Sequence, residues 1–308
     1  MVSSNCQKRE SMLYPHSDYV SVTLEFRCNL RCVHCMIEGA KDHLKPQTLE
    51  QYQAVLEENR RDKHWKGIIL TGAEITLRKD LPQLVEMARE SCFERIRIQT
   101  HGMRLESPDY CERLVDAGVN EFFVSVAGAD SESHDAITEI PGAYEKMMKG
   151  LDYLERYPHL SIITNTVVTK LSYSLLPDIV TAMQHLTNLV QMEFWVYWPM
   201  NENDEKDLIA PHSAILPYLK RAIAMSHERG LRVEVKNFPQ CMLGEDGEVL
   251  LNDQPLLYID DAFWPDFMRN GFEQCLYRGQ CSSEQCLGLN TAYIKKFGWE
   301  RELLEPIN

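Results

Sequence analysis

Three cysteines lie within eight residues near the start of the chain, in the segment CNLRCVHC. Cys28, Cys32 and Cys35 follow a strand-like run at residues 19–26. Thiolate sulfur is a soft ligand that selects zinc or iron–sulfur clusters over hard cations. Structural zinc uses four protein ligands, whereas three cysteines on a cubane cluster leave one iron without a protein ligand. The odd number of cysteines therefore indicates a metal centre that could bind a substrate or cofactor.

Two other interpretations of this segment stay open. His34 could complete a zinc site as a fourth ligand, although a side chain between two cysteines tends to point away from them. The three cysteines could also be core residues that are clustered by chance. Both interpretations leave the segment without an open metal position.

The segment resembles the signature of the radical S-adenosylmethionine (radical SAM) superfamily, CxxxCxφC with φ aromatic or His, after the first barrel strand. The resemblance implies a [4Fe-4S] cluster on Cys28, Cys32 and Cys35, with SAM bound to its free iron and His34 beside the cofactor. It also implies an electron donor such as flavodoxin or ferredoxin. Reductive cleavage of SAM would give a 5′-deoxyadenosyl radical that takes a hydrogen atom from the substrate.

Strand-like and helix-like segments alternate with a period of about thirty residues, which is typical of βα units in a parallel sheet. Six units are predicted, and several of their strands are continuous apolar runs, as expected of strands buried on both faces. The predicted strands are 20–26, 67–71, 95–99, 121–126, 161–168 and 191–197, with helices near 47–61, 81–91, 107–117, 142–156, 173–186 and 212–229. This order matches the α/β partial (β/α)6 TIM-like barrel that the resemblance implies, with the cysteines at the C-terminal ends of its strands.

The chain divides into three predicted parts. Residues 1–18 form an N-terminal tail, 19–236 the barrel, and 237–308 a small cysteine-rich domain. A strand is expected at 231–235, and a β-hairpin at 248–259 that turns at Asn252 and Asp253.

The segment TGAEIT, after the second predicted strand, is similar to the family's GGEPT motif. The resemblance implies that Gly72, Glu74 and Thr76 lie at the SAM amino group; Ala73 and Ile75 depart from the motif. Without the resemblance, the segment is an ordinary βα turn. The third strand runs into QTHG, where the family commonly has TNG, and His101 could contact substrate or be structural.

Two polar residues on later strands resemble further SAM contacts. The stretch FVSVAGAD with SHDAITEIPGAY is similar to the family's SxDG…HDxxRxxPGxF, which implies a contact from Ser125. Ala127 replaces the Asp of that motif, and Thr138 or Glu139 replaces the Arg, so a second contact for the SAM carboxylate comes from elsewhere or is missing. Asn165 resembles a residue that faces the ribose, or it caps a strand end.

A second cysteine group lies in the C-terminal part. Its members are Cys241, Cys275, Cys281 and Cys286, the number a closed cluster needs. The group resembles the SPASM/twitch auxiliary domain, in which a CxG element precedes an aromatic residue and a Gly-Glu pair, which implies a second [4Fe-4S] cluster. The corresponding residues are Cys286, Gly288, Tyr293, Gly298 and Glu300. A structural zinc is the alternative, as is a role for Cys241 as a hydrogen-atom donor.

Composition restricts the partners. The chain has 308 residues, with 32 Lys and Arg against 46 Asp and Glu, and its net charge of −14 argues against a nucleic-acid binder. No stretch approaches the ~20 apolar residues of a membrane span, and no signal-peptide pattern is present, so a cytoplasmic protein without a membrane partner is expected. Ten cysteines in a reducing compartment are expected to be metal ligands or buried thiols.

The sequence thus predicts a radical SAM oxidoreductase or maturase. Its expected substrate is a peptide or a natural-product intermediate, which it would oxidise, epimerise or cross-link. The alternatives are a non-catalytic protein that binds zinc or iron–sulfur clusters, and a radical SAM enzyme with a structural zinc in its C-terminal part.

Overall fold

One sheet of eight parallel strands organises the molecule. The computed structural model describes residues 13–37, 39 and 42–308. The strands are β1 Tyr19–Glu25, β2 Gly67–Gly72, β3 Arg95–Thr100, β4 Glu121–Ser125, β5 Ser161–Val168, β6 Leu189–Val196, β7 Arg232–Lys236 and β8 Leu256–Tyr258. Their order is β7-β6-β5-β4-β3-β2-β1-β8, and all neighbours are parallel. The sheet curls into a half-barrel, so the predicted partial TIM-like fold is confirmed.

Helices cover the outer face of the sheet. They are α1 Leu49–Asp62, α2 Leu81–Arg89, α3 Pro108–Ala117, α4 Ser131–Thr138, α5 Ala143–Leu154, α6 Leu176–Ala182, α7 His212–Glu228, α8 Gln240–Leu243, α9 Phe263–Phe267 and α10 Thr291–Phe297. Their apolar faces and the outward-facing strand residues, such as Val20, Val22 and Leu24, form the main core. Among the described residues, no helix has the length and apolar character needed to cross a membrane.

The seven strands predicted between residues 20 and 235 match β1 to β7 to within two residues at each end. The helix expected at 173–186 is shorter, because a 3-10 turn at Tyr173–Leu175 precedes α6 and α6 ends at Ala182. The sequence reading contained no helix at α4. This helix begins with a capping box in which Asp130 accepts from the backbone of Ser133, and it ends at Glu139 in the left-handed region.

The predicted hairpin at 248–259 is wrong. Gly244–Val249 is a 3-10 helix, and Leu256–Tyr258 pairs in parallel with β1, with Leu257 opposite Ser21. Residues 252 and 253 do not connect two paired strands. The Asn252 side-chain amide instead donates to the Gln285 carbonyl at 2.6 Å, and its oxygen accepts from the backbone of Asn237 at 2.9 Å. By pairing with β1, β8 also satisfies backbone groups that would otherwise form an open sheet edge. Residues beyond the predicted boundary at 236 therefore contribute to the barrel sheet.

Several charged side chains inside the half-barrel are paired. Arg97 and Glu121 are both buried and form an ion pair at 2.9 Å. The Tyr19 hydroxyl donates to both Glu121 oxygens at 2.9 Å, and the Arg97 guanidinium lies 4.5 Å from the centre of the Tyr19 ring. Burial raises the pKa of Tyr19, so the phenol remains a donor. Each member of this cluster compensates a group that would be costly to bury alone.

We expect Arg97→Met to lower the free energy of unfolding by about 3 kcal/mol, because it leaves the Glu121 carboxylate buried without its nearest cation. Arg60→Met removes the same charge from the exposed Arg60–Glu57 pair and is expected to cost less than about 1 kcal/mol. Urea unfolding of both variants measures the difference. Equal losses would contradict the assigned role of the buried pair.

Candidate active site

The three N-terminal cysteines lie on the loop that follows β1, residues 26–37, called here the cysteine loop. Its backbone is bound to the C-terminal end of α4: Arg31 N–H donates to the Thr138 carbonyl at 3.1 Å, and Val33 N–H to the Ile137 carbonyl at 2.9 Å. The last carbonyls of a helix have no partner within the helix, so they are available as acceptors. The loop therefore has a defined shape although it contains neither helix nor strand.

The cysteines of this loop are half-buried and lie near one another. Cys28 and Cys32 pack against Leu30, Met103 and Ala143. Burial, together with the nearby Cys28 and Cys35, raises the pKa of Cys32 to about 12. Three thiolates in this setting need a compensating cation, because uncompensated buried charge is costly. The donor set therefore fits a cationic iron–sulfur centre.

None of the nine described cysteines forms a disulfide. Within the described ranges, no three His, Cys, Asp or Glu side chains already surround a single metal-ion position. A cubane differs from a single ion in this respect, because each of its cysteines binds a different iron.

His34 is neutral at physiological pH. Burial, together with nearby His134 and Lys206, lowers its pKa to about 4. Its Nδ1 atom is buried and has no hydrogen-bond partner. A neutral imidazole could be placed beside a cofactor, and that role of His34 stays a prediction.

The turn after β2 is pressed against the end of β1. A Cβ atom on Gly72 would lie 1.9 Å from the Glu25 carbonyl oxygen, so only glycine fits there. The same carbonyl accepts from Ala73 N–H at 2.7 Å. Gly72 and Ala73 remain partly exposed, so their backbone is available to a ligand.

Glu74 points into the protein instead. It is fully buried, and one carboxylate oxygen accepts from Thr76 N at 3.0 Å and from the Thr100 hydroxyl at 2.7 Å. The other oxygen accepts from His101 N at 2.8 Å. The structure thus assigns the Glu74 and Thr76 side chains to holding the turn, and leaves the backbone as the part of this motif that could contact SAM.

Ser125 and Asn165 are brought together, as partners in register on β4 and β5. Ser125 is exposed, whereas Asn165 is buried and its Oδ1 atom has no hydrogen-bond partner. A buried acceptor without a partner is rare, and a ligand hydroxyl would satisfy it. The pair therefore fits a polar ligand. The alternative, in which Asn165 caps a strand end, is not supported for Oδ1, because this atom accepts no hydrogen bond.

Two buried carboxylates that the sequence did not predict lie beside Asn165 on the next two strands of the sheet. Glu193 on β6 is in register with Asn165, and Glu234 on β7 is in register with Glu193. Burial and the nearby Glu234 raise the pKa of Glu193. Although burial opposes it, the hydrogen bond from His16 and the charge of Lys236 lower the pKa of Glu234 to about 2. Single acidic residues inside the apolar runs QMEFWV and RVEV were the available signal.

Where the family has Asp the chain has Ala127, and where it has Arg the chain has Thr138 or Glu139, so neither position carries a cation here. Ala127 N–H donates to His134 Nδ1 at 3.2 Å, and the Thr138 hydroxyl is buried without a partner. The adjacent Glu139 accepts from Arg31 through its backbone carbonyl at 3.3 Å. These positions thus shape the α4 end rather than supply a cation for the SAM carboxylate.

A cleft of about 210 Å³ opens beside Cys35. The cysteine loop forms one wall, with Met36, and the segment after β6 forms another, with Tyr197 and Lys206. The remaining lining residues are mostly polar: Gly39, Pro199, Met200, Asn201, Asn203, Glu205, Asp266 and Arg269. Two aromatic residues follow β6: Tyr197 lines the cleft, while Trp198 stacks on Phe272 with ring centres 4.8 Å apart.

The four C-terminal cysteines line one small cavity. Backbone N–H groups donate to three of their sulfur atoms at 3.4 to 3.5 Å: Tyr277 to Cys275, Ile307 to Cys281 and Gly288 to Cys286. Burial, and then the other three cysteines, raises the pKa of Cys241, while the backbone of Glu305 opposes that rise. Donors aimed at sulfur favour the thiolate form, and four such sulfurs fit a closed metal centre.

The residues after this group are fixed to the barrel. Tyr293 stacks on His212 at the start of α7, with ring centres 4.0 Å apart, and its hydroxyl accepts from His212 N at 2.7 Å. The same hydroxyl donates to Glu300. The aromatic residue and the glutamate of the C-terminal motif therefore connect this part of the chain to α7.

Comparison with known proteins identifies the family. The family model described as the Radical SAM superfamily matches residues 24–179, which is half of the chain and includes the cysteine loop. The chain therefore belongs to the radical SAM superfamily.

Its curated relatives have different reactions. An AdoMet-dependent heme synthase of Nitratidesulfovibrio vulgaris is 31% identical over 147 residues, 46% of this chain and 38% of the relative. One of Methanosarcina barkeri is 29% identical, over 60% of this chain and 52% of the relative. A GTP 3′,8-cyclase of Thermodesulfovibrio yellowstonii is 30% identical, over 50% of this chain and 48% of the relative. The chain spans about half the length of the curated relatives it matches.

Solved structures show the same fold. Streptococcus suis SuiB bound to precursor peptide SuiA matches with a TM-score of 0.58 and 14% identity, over 71% of this chain and 48% of SuiB. The anSMEcpe structure with bound AdoMet and Kp18Cys peptide matches with a TM-score of 0.56 and 14% identity, over 70% of this chain and 63% of that protein. Identity at this level supports the shared fold alone.

Stability is expected to fall in acid because of His134. Burial lowers its pKa to about 4, below the ~6.5 of an unfolded histidine. Between pH 4 and 6.5 His134 is protonated in the unfolded chain but neutral in the folded chain. The free energy of unfolding therefore decreases as the pH falls, by up to about 1.4 kcal/mol per pH unit.

His134→Asn retains an acceptor for Ala127 N–H but cannot titrate. We expect urea unfolding between pH 4 and 6.5 to show a shallower pH dependence in this variant than in the parent. The same substitution at exposed His159 controls for the replacement itself. An unchanged slope in His134→Asn would contradict the neutral, buried state of His134.

Proposed function

We propose that this radical SAM protein is an enzyme that cleaves SAM reductively and abstracts a hydrogen atom from a peptide or small natural-product intermediate. The arrangement of the three cysteines in the cysteine loop is the main support for this proposal. The three half-buried cysteines lie at the C-terminal ends of the half-barrel strands, and burial together with their mutual proximity raises the pKa of Cys32. A [4Fe-4S] cluster with SAM supplies the electron transfer and the radical, with electrons from a donor such as flavodoxin or ferredoxin.

The residues of the chain would bind and orient the cluster, SAM and the substrate. Cys28, Cys32 and Cys35 would hold three irons, and the backbone of Gly72 and Ala73 would accept from the SAM amino group. The unpartnered Asn165 Oδ1 supports a contact with a ribose hydroxyl, and the exposed Ser125 beside it supports a second contact. The cleft at Cys35 would admit the substrate, and its mixture of polar and charged residues favours a polar one.

Cys32→Ala is expected to reduce the formation of 5′-deoxyadenosine to background, because the cluster loses one of three ligands. The measurement is anaerobic incubation of the reconstituted protein with SAM and dithionite, followed by chromatography. Cys92→Ala is the matched control, since Cys92 is exposed and lies between α2 and β3. Parental turnover in Cys32→Ala would exclude the assigned role.

We further propose that Cys241, Cys275, Cys281 and Cys286 hold a second [4Fe-4S] cluster. Their shared cavity and the N–H donors to their sulfur atoms support this assignment. The position of Cys241 within that cavity favours a ligand over a hydrogen-atom donor. Zinc on the same four sulfurs is the competing assignment, and metal analysis separates the two.

The parent is expected to contain about eight irons per chain after anaerobic reconstitution, and Cys281→Ala about four, with some cleavage of SAM retained. Iron and zinc are measured together by plasma emission spectroscopy. A parent with about four irons and one zinc would contradict the second cluster while leaving the first in place. The mass of candidate substrates after incubation then separates epimerisation, which leaves the mass unchanged, from oxidation and intramolecular cross-linking, which both remove two hydrogens. Fragmentation of the product distinguishes the last two.

A further inference from the structure

His101 lies between two segments of the candidate active site. It follows β3, is 7% exposed, and contacts both the cysteine loop and the turn after β2. The sequence alone allows either a substrate contact or a structural role for His101. Its hydrogen bonds give it a more specific position.

The bonds determine which nitrogen carries the proton. Met103 N–H donates to Nδ1 of His101 at 3.2 Å, so Nδ1 is an acceptor and the proton lies on Nε2. Nε2 then donates to Oδ1 of Asn29, 2.8 Å away, and lies 3.2 Å from Glu74. The backbone N–H of His101 donates to Glu74 at 2.8 Å. One neutral imidazole thus joins Asn29 to the buried carboxylate.

Asn29 directly follows Cys28 in the cysteine loop. The second half of the loop is bound to α4 through Arg31 and Val33. Its first half is joined to the ends of β2 and β3 through the Asn29 side chain. Glu74 cannot shift easily, because it is fully buried and held by threonine donors. A movement of Cys28 relative to the turn at Gly72 would therefore break the bond between Asn29 and His101.

We propose that His101 is a positioning residue that fixes the Cys28 side of the cysteine loop relative to the SAM-binding turn. The inference rests on the proposed cluster and SAM site. It assigns to His101 no contact with substrate or cofactor. Its effect is on how well the free iron and the Gly72 turn together bind one SAM molecule.

A matched pair of variants tests this role. In His101→Gln the amide nitrogen can occupy the place of Nε2 and donate to Asn29, whereas the shorter amide of His101→Asn reaches only the place of Nδ1. Both variants are reconstituted anaerobically, and the dissociation constant of SAM is measured by equilibrium dialysis. The electron paramagnetic resonance spectrum of the reduced protein is recorded with and without SAM, and iron is counted.

We expect His101→Asn to bind SAM about tenfold more weakly, with parental iron content and an altered spectrum in the presence of SAM. His101→Gln is expected to stay within about threefold of the parent. Asn29→Ala, at an exposed position, is expected to match His101→Asn, and the double variant to lose no more than either single variant. A loss of SAM affinity in the double variant that is smaller than the sum of the two single losses measures the contribution of the hydrogen bond between Asn29 and His101.

The proposal is overturned if His101→Asn binds SAM like the parent, if the glutamine and asparagine variants lose affinity equally, or if the losses of Asn29→Ala and His101→Asn add. Should His101→Asn fail to fold, Asn29→Ala decides alone, with parental affinity counting against the proposal. A parent that holds iron but binds no SAM would instead contradict the proposed function.

Discussion

The cysteine loop depends on the C-terminal end of a helix three βα units away from it in the chain. Carbonyls of Ile137 and Thr138 have no partner inside α4, and they accept the N–H groups of Val33 and Arg31. α4 ends there because Glu139 adopts the left-handed conformation. Cysteine spacing alone could not hold three sulfur atoms in place, since the loop has no regular structure of its own. Parallel strand pairing brings both segments to the same edge of the sheet.

The interior of the half-barrel combines paired charge with a few unsatisfied groups. Arg97 and Glu121 compensate each other near the N-terminal ends of the strands, and Glu234 is held by His16 and Lys236. Unlike these paired charges, the buried Oδ1 atom of Asn165 has no hydrogen-bond partner in the protein. The open amide acceptor of Asn165, near the mouth of the half-barrel, is available to a polar ligand.

Local sequence patterns were sufficient to predict β1 to β7 and to pick out both cysteine groups. Continuous apolar runs define buried parallel strands, and the first cysteine group lies within eight consecutive residues. The missed features depend on distant partners. β8 was read as half of a hairpin because its pairing with β1 spans more than 230 residues of sequence. The bond between Asn29 and His101, and the register of Glu193 with Asn165, likewise exist only once the half-barrel has folded. α4 could have been found, since Asp130 and Ser133 form a capping signal.

The central claim is that the cysteine loop holds a cluster with one iron left for SAM. Mössbauer spectroscopy of protein reconstituted anaerobically with ⁵⁷Fe tests it most directly, because the method resolves the coordination of individual irons. Adding SAM is expected to change the isomer shift of one iron site in the N-terminal cluster and to leave its other sites unchanged. A spectrum that SAM does not alter, in protein that carries iron on these cysteines, would contradict it.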